Sequence, residues 1–129
     1  MEIAHIALWT NRLEELRDFY TRYFNGRSNE KYVNPNKGFE SYFIRFDDGC
    51  ALELMCCKDI QPRTPEARTG FCHMAFGCAN REAVLVQTER LRTDGYRVIS
   101  EPRMTGDGYF ESVIEDPDGN PIELTWKSE

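Results

Sequence analysis

The sequence predicts an α+β protein built from two tandem βαβββ modules. Two internal repeats and one polar break carry that expectation. "AHIALWTNRLEELRDFYTRYFNG" opens the first half and "CHMAFGCANREAVLVQTERLRTDG" opens the second. Each reads as a short apolar strand, an Asn, a helix and a Gly. Later, "GFESYFIRFDDGCALELM" and "GYFESVIEDPDGNPIELTW" repeat as two strand-like segments around a tight turn. Between the halves lies "KDIQPRTPEART", polar and proline-bearing, at residues 58–69. The modules therefore run over about 1–57 and 70–129 of one domain.

Each element has a local reason. Asn11 and Asn80 suit helix N-caps, and Glu14, three residues after Asn11, completes a capping-box pattern. Leu13, Leu16, Tyr20, Tyr23 and Phe24 form an apolar stripe at helical spacing. The second helix is less regular, with Val84 and Leu91 on either side of a polar Gln87. Gly26 and Gly95 suit the position just past a helix end. Segments 28–34 and 96–101 supply one strand each before the hairpins, whose turns are "DDG" and "PDG".

Composition narrows the function classes. A chain of 129 residues is long enough to bury a sizeable core. Its net charge of -6 argues against nucleic acid as a partner. The basic residues at Arg63 and Arg68, and at Arg90, Arg92 and Arg97, read as solvated surface charge. No uncharged run reaches membrane-spanning length, and the N-terminal stretch has no secretion-signal pattern. Five cysteines, an odd number with no C-x-x-C spacing, read as small buried hydrophobes in a reducing cytoplasm. A cytoplasmic location is the expectation.

The two histidines are the chemical signal. His5 and His73 each open the pattern His, apolar, Ala, apolar, inside otherwise apolar runs. A buried imidazole needs partners for its ring nitrogens. Glu53 and Glu123 follow the two turns in register, each four residues past the Gly and each before a Leu. Strand alternation puts His5, Ala7 and Trp9 on one face, and Glu53, Met55 and Cys57 on one face. His73 and Ala75, and Glu123 and Thr125, repeat the arrangement. If the halves pack as a pseudo-symmetric pair, two imidazoles and two carboxylates meet in one cavity. That donor set suits a divalent metal. The plainer alternative is two core histidines, each hydrogen-bonded to a glutamate; four residues repeated in register favour the metal.

With these residues in view, the chain resembles the vicinal oxygen chelate superfamily, the glyoxalase, bleomycin-resistance and dioxygenase proteins. The resemblance covers essentially the whole chain and rests on "HIALW", "LRDFYTRYF", "ALELM", "HMAF" and "EDPDGNPIELTW". It implies a cupped, partly open barrel of mixed β-sheet formed by the paired modules around a metal. Within the superfamily, the set His5, Glu53, His73 and Glu123 is most similar to glyoxalase I. That similarity implies one divalent ion (nickel, zinc, cobalt or manganese) and two ligand positions open to a substrate with adjacent oxygens. It also implies Glu123 as the catalytic base, Glu53 as the second catalytic carboxylate, and a homodimer. The implied reaction is isomerisation of a 2-oxoaldehyde hemithioacetal to a thioester, the lactoylglutathione lyase type. A fosfomycin-type thiol transferase, a dioxygenase of the same superfamily, or a non-catalytic drug-binding module are the alternatives.

The sequence departs from glyoxalase I where substrate is chosen. Trp9 stands where typical members carry an Arg, and Cys56 and Cys57 replace the Asn that commonly follows the first acidic segment. The loop "EPRMTGDGYFES" is also unusual, and its Arg103 and Tyr109, with Trp9, are the expected substrate-binding residues.

Overall fold

The computed structural model describes residues 1–129, and the chain separates into two compact units, Met1–Thr64 and Pro65–Glu129. The two units share one plan. In the first, β1 (His5–Trp9) leads into α1 (Leu13–Phe24), followed by β2 (Arg27–Ser28), β3 (Tyr32–Asn34), β4 (Phe39–Arg45) and β5 (Ala51–Cys56). The second runs β6 (Met74–Gly77), α2 (Arg81–Thr93), β7 (Val98–Met104), β8 (Tyr109–Glu115) and β9 (Pro121–Lys127). The chain is α+β, with two helices and two mixed sheets, neither of them closed.

In the first sheet the order is β1-β5-β4-β2, with β3 also on β4; in the second it is β6-β9-β8-β7. The first strand of each unit lies parallel to the last, and the remaining pairs are antiparallel. One helix packs on each sheet. Leu16, Phe19 and Tyr20 from α1 are buried together with Ile44 and Leu54 in the first core. In the second, Val84 and Leu91 of α2 are buried with Ile114, Ile122 and Leu124. Alternation along the strands places these apolar residues on the helix side, leaving the opposite face of each sheet for other work.

Local chemistry explains where the elements start and stop, and in two places it differs from the sequence expectation. Asn80 caps α2 as expected, its side-chain oxygen accepting from the Ala83 N–H at 2.8 Å. Asn11 does not cap α1. The helix begins after Arg12, whose N–H donates to Thr10 Oγ1, while the Asn11 amide donates to the Ile60 carbonyl. Thr10 is nearly fully buried and can hold that turn, so Asn11 is free to tie down the segment after β5. Glu14 accordingly makes no capping box; it accepts from the Tyr42 hydroxyl at 2.8 Å.

At the other end, Asn25 takes the left-handed conformation expected of Gly26. Gly26 is needed for another reason: a Cβ there would lie 2.3 Å from Ile44 Cγ2. Gly95 does take the left-handed position after α2. Segment 28–34, expected as one strand, is split into β2 and β3, and Asn29 fills the gap by bonding the Phe43 N–H.

The "DPDG" run has a clear structural task. Asp116 is buried and accepts from the N–H groups of Asp118 and Asn120 at 2.9 Å, and from the Asn120 amide at 2.9 Å. Gly119 takes a positive φ of 82° to close the turn. This cluster sets the register of β8 against β9, and so decides which face Glu123 occupies.

Candidate metal centre in two half-sites

Each unit presents one histidine and one glutamate on the sheet face opposite its helix. In the first, Ala7 pairs with Glu53 across β1 and β5, and Glu53 pairs with Phe43 across β5 and β4. His5 stands at the start of β1, with Nε2 3.7 Å from Glu53 Oε2. Its ring meets Phe43 edge-on with centroids 5.4 Å apart, which fixes the plane of the imidazole. In the second unit, Ala75 pairs with Glu123, and Glu123 with Val113. His73 immediately precedes β6, and its Nε2 lies 3.1 Å from Glu123 Oε1. The carboxylates are largely shielded, at 18% and 19% exposure, while the imidazoles stand more open at 46% and 37%.

The 3.1 Å separation in the second unit suits a shared ion, and the 3.7 Å separation in the first is wider. Two donors on adjacent positions of an ion, each about 2.1 Å from it, stand roughly 3 Å apart. Neutral imidazole and carboxylate are also the donors that divalent nickel, cobalt, zinc and manganese accept. No group of three or more potential ligands gathers within either unit; each brings together one His–Glu pair.

The expected substrate-binding residues are divided between the units. Trp9, at the end of β1, is half exposed and meets Phe39 edge-on at 6.3 Å. Phe39 in turn meets Tyr32 at 6.2 Å, giving the first unit an aromatic shelf. Beside it opens a cleft of about 450 Å³ lined by Val33, Phe39, Glu40, Cys56, Cys57 and Lys58. Burial pushes the Cys56 thiol above its ordinary pKa. In the second unit, the Lys127 ammonium sits 4.7 Å over the Tyr109 ring, and Arg103 Nη1 lies 3.7 Å from Glu111 Oε1.

Thr125 lies on the Glu123 face as alternation predicts; Glu111, which pairs with it on that face, was missed in the sequence. The available signal was an acidic residue inside the strand "YFESVIE", two positions before Val113.

A βαβββ unit repeated twice, with a His and a Glu brought together in each, defines a class, and the comparisons agree. Residues 2–124 match the Glyoxalase/Bleomycin resistance protein/Dioxygenase superfamily, and the chain belongs to it. It is 30% identical over 125 residues to the uncharacterised Bacillus subtilis protein YqjT, covering 93% of this chain and 94% of that protein. A glyoxylase/bleomycin resistance protein/dioxygenase domain from Frankia superposes with a TM-score of 0.85 at 16% identity, covering 99% and 98% of the two chains. The trypanothione-dependent glyoxalase I of Leishmania major superposes with a TM-score of 0.75 at 18% identity, covering 96% of this chain and 85% of that one. At such identities these two structures establish the shared fold.

Proposed function

We propose that the chain is a metal-dependent lyase or isomerase of the glyoxalase I type, acting on a 2-oxoaldehyde hemithioacetal or a similar small substrate with adjacent oxygens. The observation that carries this reading is the duplicate His–Glu pair, the same two donors at corresponding places in both units. His5, Glu53, His73 and Glu123 would together hold one divalent ion, the two pairs coming from one chain or from two copies in a homodimer. Such an ion, when bound, supplies Lewis-acid polarisation of a substrate carbonyl.

The chain's own groups then do the proton work. Glu123, shielded but not sealed from solvent, takes the proton from the carbon beside the carbonyl and returns it to the neighbouring carbon. The bond order shifts from one carbon–oxygen pair to the other, and the hemithioacetal becomes a thioester with no atom gained or lost. Glu53, on its own pair with His5, is the second carboxylate able to carry a proton. His5 is held in plane by Phe43, which keeps Nε2 directed at the site. Trp9, Arg103 and Tyr109 bind the rest of the substrate. The reducing cytoplasm suits both a thiol-bearing substrate and five free cysteines.

The deciding experiment purifies the protein without chelator, measures its metal content, and follows thioester formation from methylglyoxal hemithioacetals by ultraviolet absorbance. Metal-dependent turnover is expected. Stoichiometric metal with no turnover would move the assignment to a thiol transferase or dioxygenase. Quenching of Trp9 by an aromatic drug, with no metal bound, would favour a binding module.

A further inference from the structure

The cleft of about 450 Å³ in the first unit draws its wall from the side of the sheet away from the His5–Glu53 pair. Strand register fixes that side. Glu53 pairs with Phe43 on the histidine face, so Tyr42 and Leu54, which pair with each other, point toward α1 and are buried in the first core. Two residues further along, Glu40 pairs with Cys56, and Val33 pairs with Glu40, which puts all three on the helix side. The first turn of α1 meets this side of the sheet at Tyr42, through Glu14. Past that contact the row runs into the cleft, where Val33, Glu40 and Cys56 are joined by Pro35, Gly38 and Lys58.

The walls of the cleft are apolar, and the charges on its rim are unequal. Val33 is a large aliphatic residue that stays half exposed there. Burial raises the pKa of the Cys56 thiol, which therefore stays neutral at physiological pH and acts as apolar wall. The Glu40 carboxylate is already met by Lys31 Nζ at 3.4 Å. Lys58 is exposed and has no ion-pair partner. Its stem lies across Gly38, where a Cβ would stand 3.7 Å from Lys58 Cε, so the ammonium one bond further on is held at the hairpin end of the cleft. The uncompensated charge of the cleft is thus a single cation.

We infer that this cleft is a binding site, separate from the metal centre, for a free monocarboxylate with an apolar body of medium length. The carboxylate accepts from the Lys58 ammonium, and the body lies along Val33, Pro35 and the Cys56 thiol. Apolar surface removed from water drives the binding, and the unpaired cation selects the sign of the head group. Glu40 on the rim repels a second anionic group, which limits the ligand to one carboxylate. The same hairpin carries Tyr32 and Phe39, which meet each other, and Phe39 meets Trp9. An occupant of the cleft therefore braces the aromatic shelf through the strands that carry it.

Binding calorimetry on the protein as purified tests the site with three probes that share one body: octanoate, octan-1-ol and octylammonium. Octanoate should bind about fivefold tighter than octan-1-ol, the upper worth of one exposed ion pair, and octylammonium should bind weakest. Lys58→Gln should erase the preference for octanoate and leave the affinity for octan-1-ol unchanged. Val33→Asp, at a position the core does not pack, should weaken octanoate about tenfold by removing apolar wall and adding a like charge. Alkylation places the ligand: octanoate at about ten times its dissociation constant should slow modification of Cys56 about tenfold, with Cys72 of the other unit unaffected. No binding of octanoate, equal affinities for octanoate and octylammonium, or unprotected Cys56 would overturn the site. A preference for octanoate that survives Lys58→Gln would also overturn it, since the carboxylate would then be held elsewhere, as on a metal.

Discussion

Glu53 and Glu123 occupy corresponding places, yet their surroundings differ. Glu123 lies 3.1 Å from its histidine and has Thr125 and Glu111 in the next row; Glu53 lies 3.7 Å from its own and has Met55 and Ser41 there. The polar neighbours favour Glu123 as the base. Glu123→Gln should lower kcat by about 10²–10⁴-fold, the usual worth of a general base. Glu53→Gln should cost less at saturating metal, where weaker metal affinity is not mistaken for lost chemistry. Equal losses would mean that the two carboxylates share the proton, and full activity in Glu123→Gln would remove it as the base. Among the cysteines, burial raises the pKa of Cys78, whose thiol is therefore scarcely ionised at neutral pH. Peptide mapping after brief alkylation should find Cys78 among the last to react, and rapid modification there would contradict its burial.

At the scale of elements, α1 is tied to its sheet by polar contacts at one end and close packing at the other. Tyr42 of β4 is buried and donates to Glu14, which also meets Lys31 Nζ at 2.5 Å. Removing the hydroxyl in Tyr42→Phe should cost about 1 kcal/mol in chemical denaturation. The Lys31 and Tyr42 contacts lower the Glu14 pKa below its ordinary value of 4.5, against a smaller opposing effect of burial. A lowered carboxylate stabilises the fold above the unfolded pKa and loses that contribution as pH falls through the folded value. The gap between native protein and Glu14→Gln should therefore narrow on acidification below about pH 4.5; a gap independent of pH would rule this linkage out. At the far end of the helix, Gly26→Ala forces a Cβ against Ile44 and should cost about 1–3 kcal/mol. The melting temperature reads this directly, and an unchanged value would mean that Ile44 yields.

For the molecule as a whole, the two half-sites bear on assembly. Each unit gathers only one His–Glu pair, and an ion held as proposed would bind the folded protein and not the unfolded chain. Stripping the metal should lower thermal stability, by about 2.7 kcal/mol for an ion present at a hundred times its dissociation constant. Sedimentation should show a homodimer, which covers the edge strands that open sheets expose. A monomer with full metal content and unchanged activity would show that one chain completes the site.

Repetition made the plan legible in the sequence. The paired runs, the turns "DDG" and "PDG", and the register of His5 with His73 and Glu53 with Glu123 all follow from local periodicity. Asn80, Gly95 and the α1 stripe were legible for the same reason, since caps and amphipathic faces depend on neighbours within a few residues. Tertiary structure decided the rest. Thr10 displaced Asn11 at the start of α1 because it is buried where the turn closes, and Asn11 found a partner 49 residues away. Phe19 and Thr88 joined the cores through packing that spacing alone did not assign. The row of Val33, Glu40 and Cys56 appeared only once three strands were in register. Alternation tells which face a residue takes, but which residues become neighbours across a sheet depends on the order and offset of distant strands.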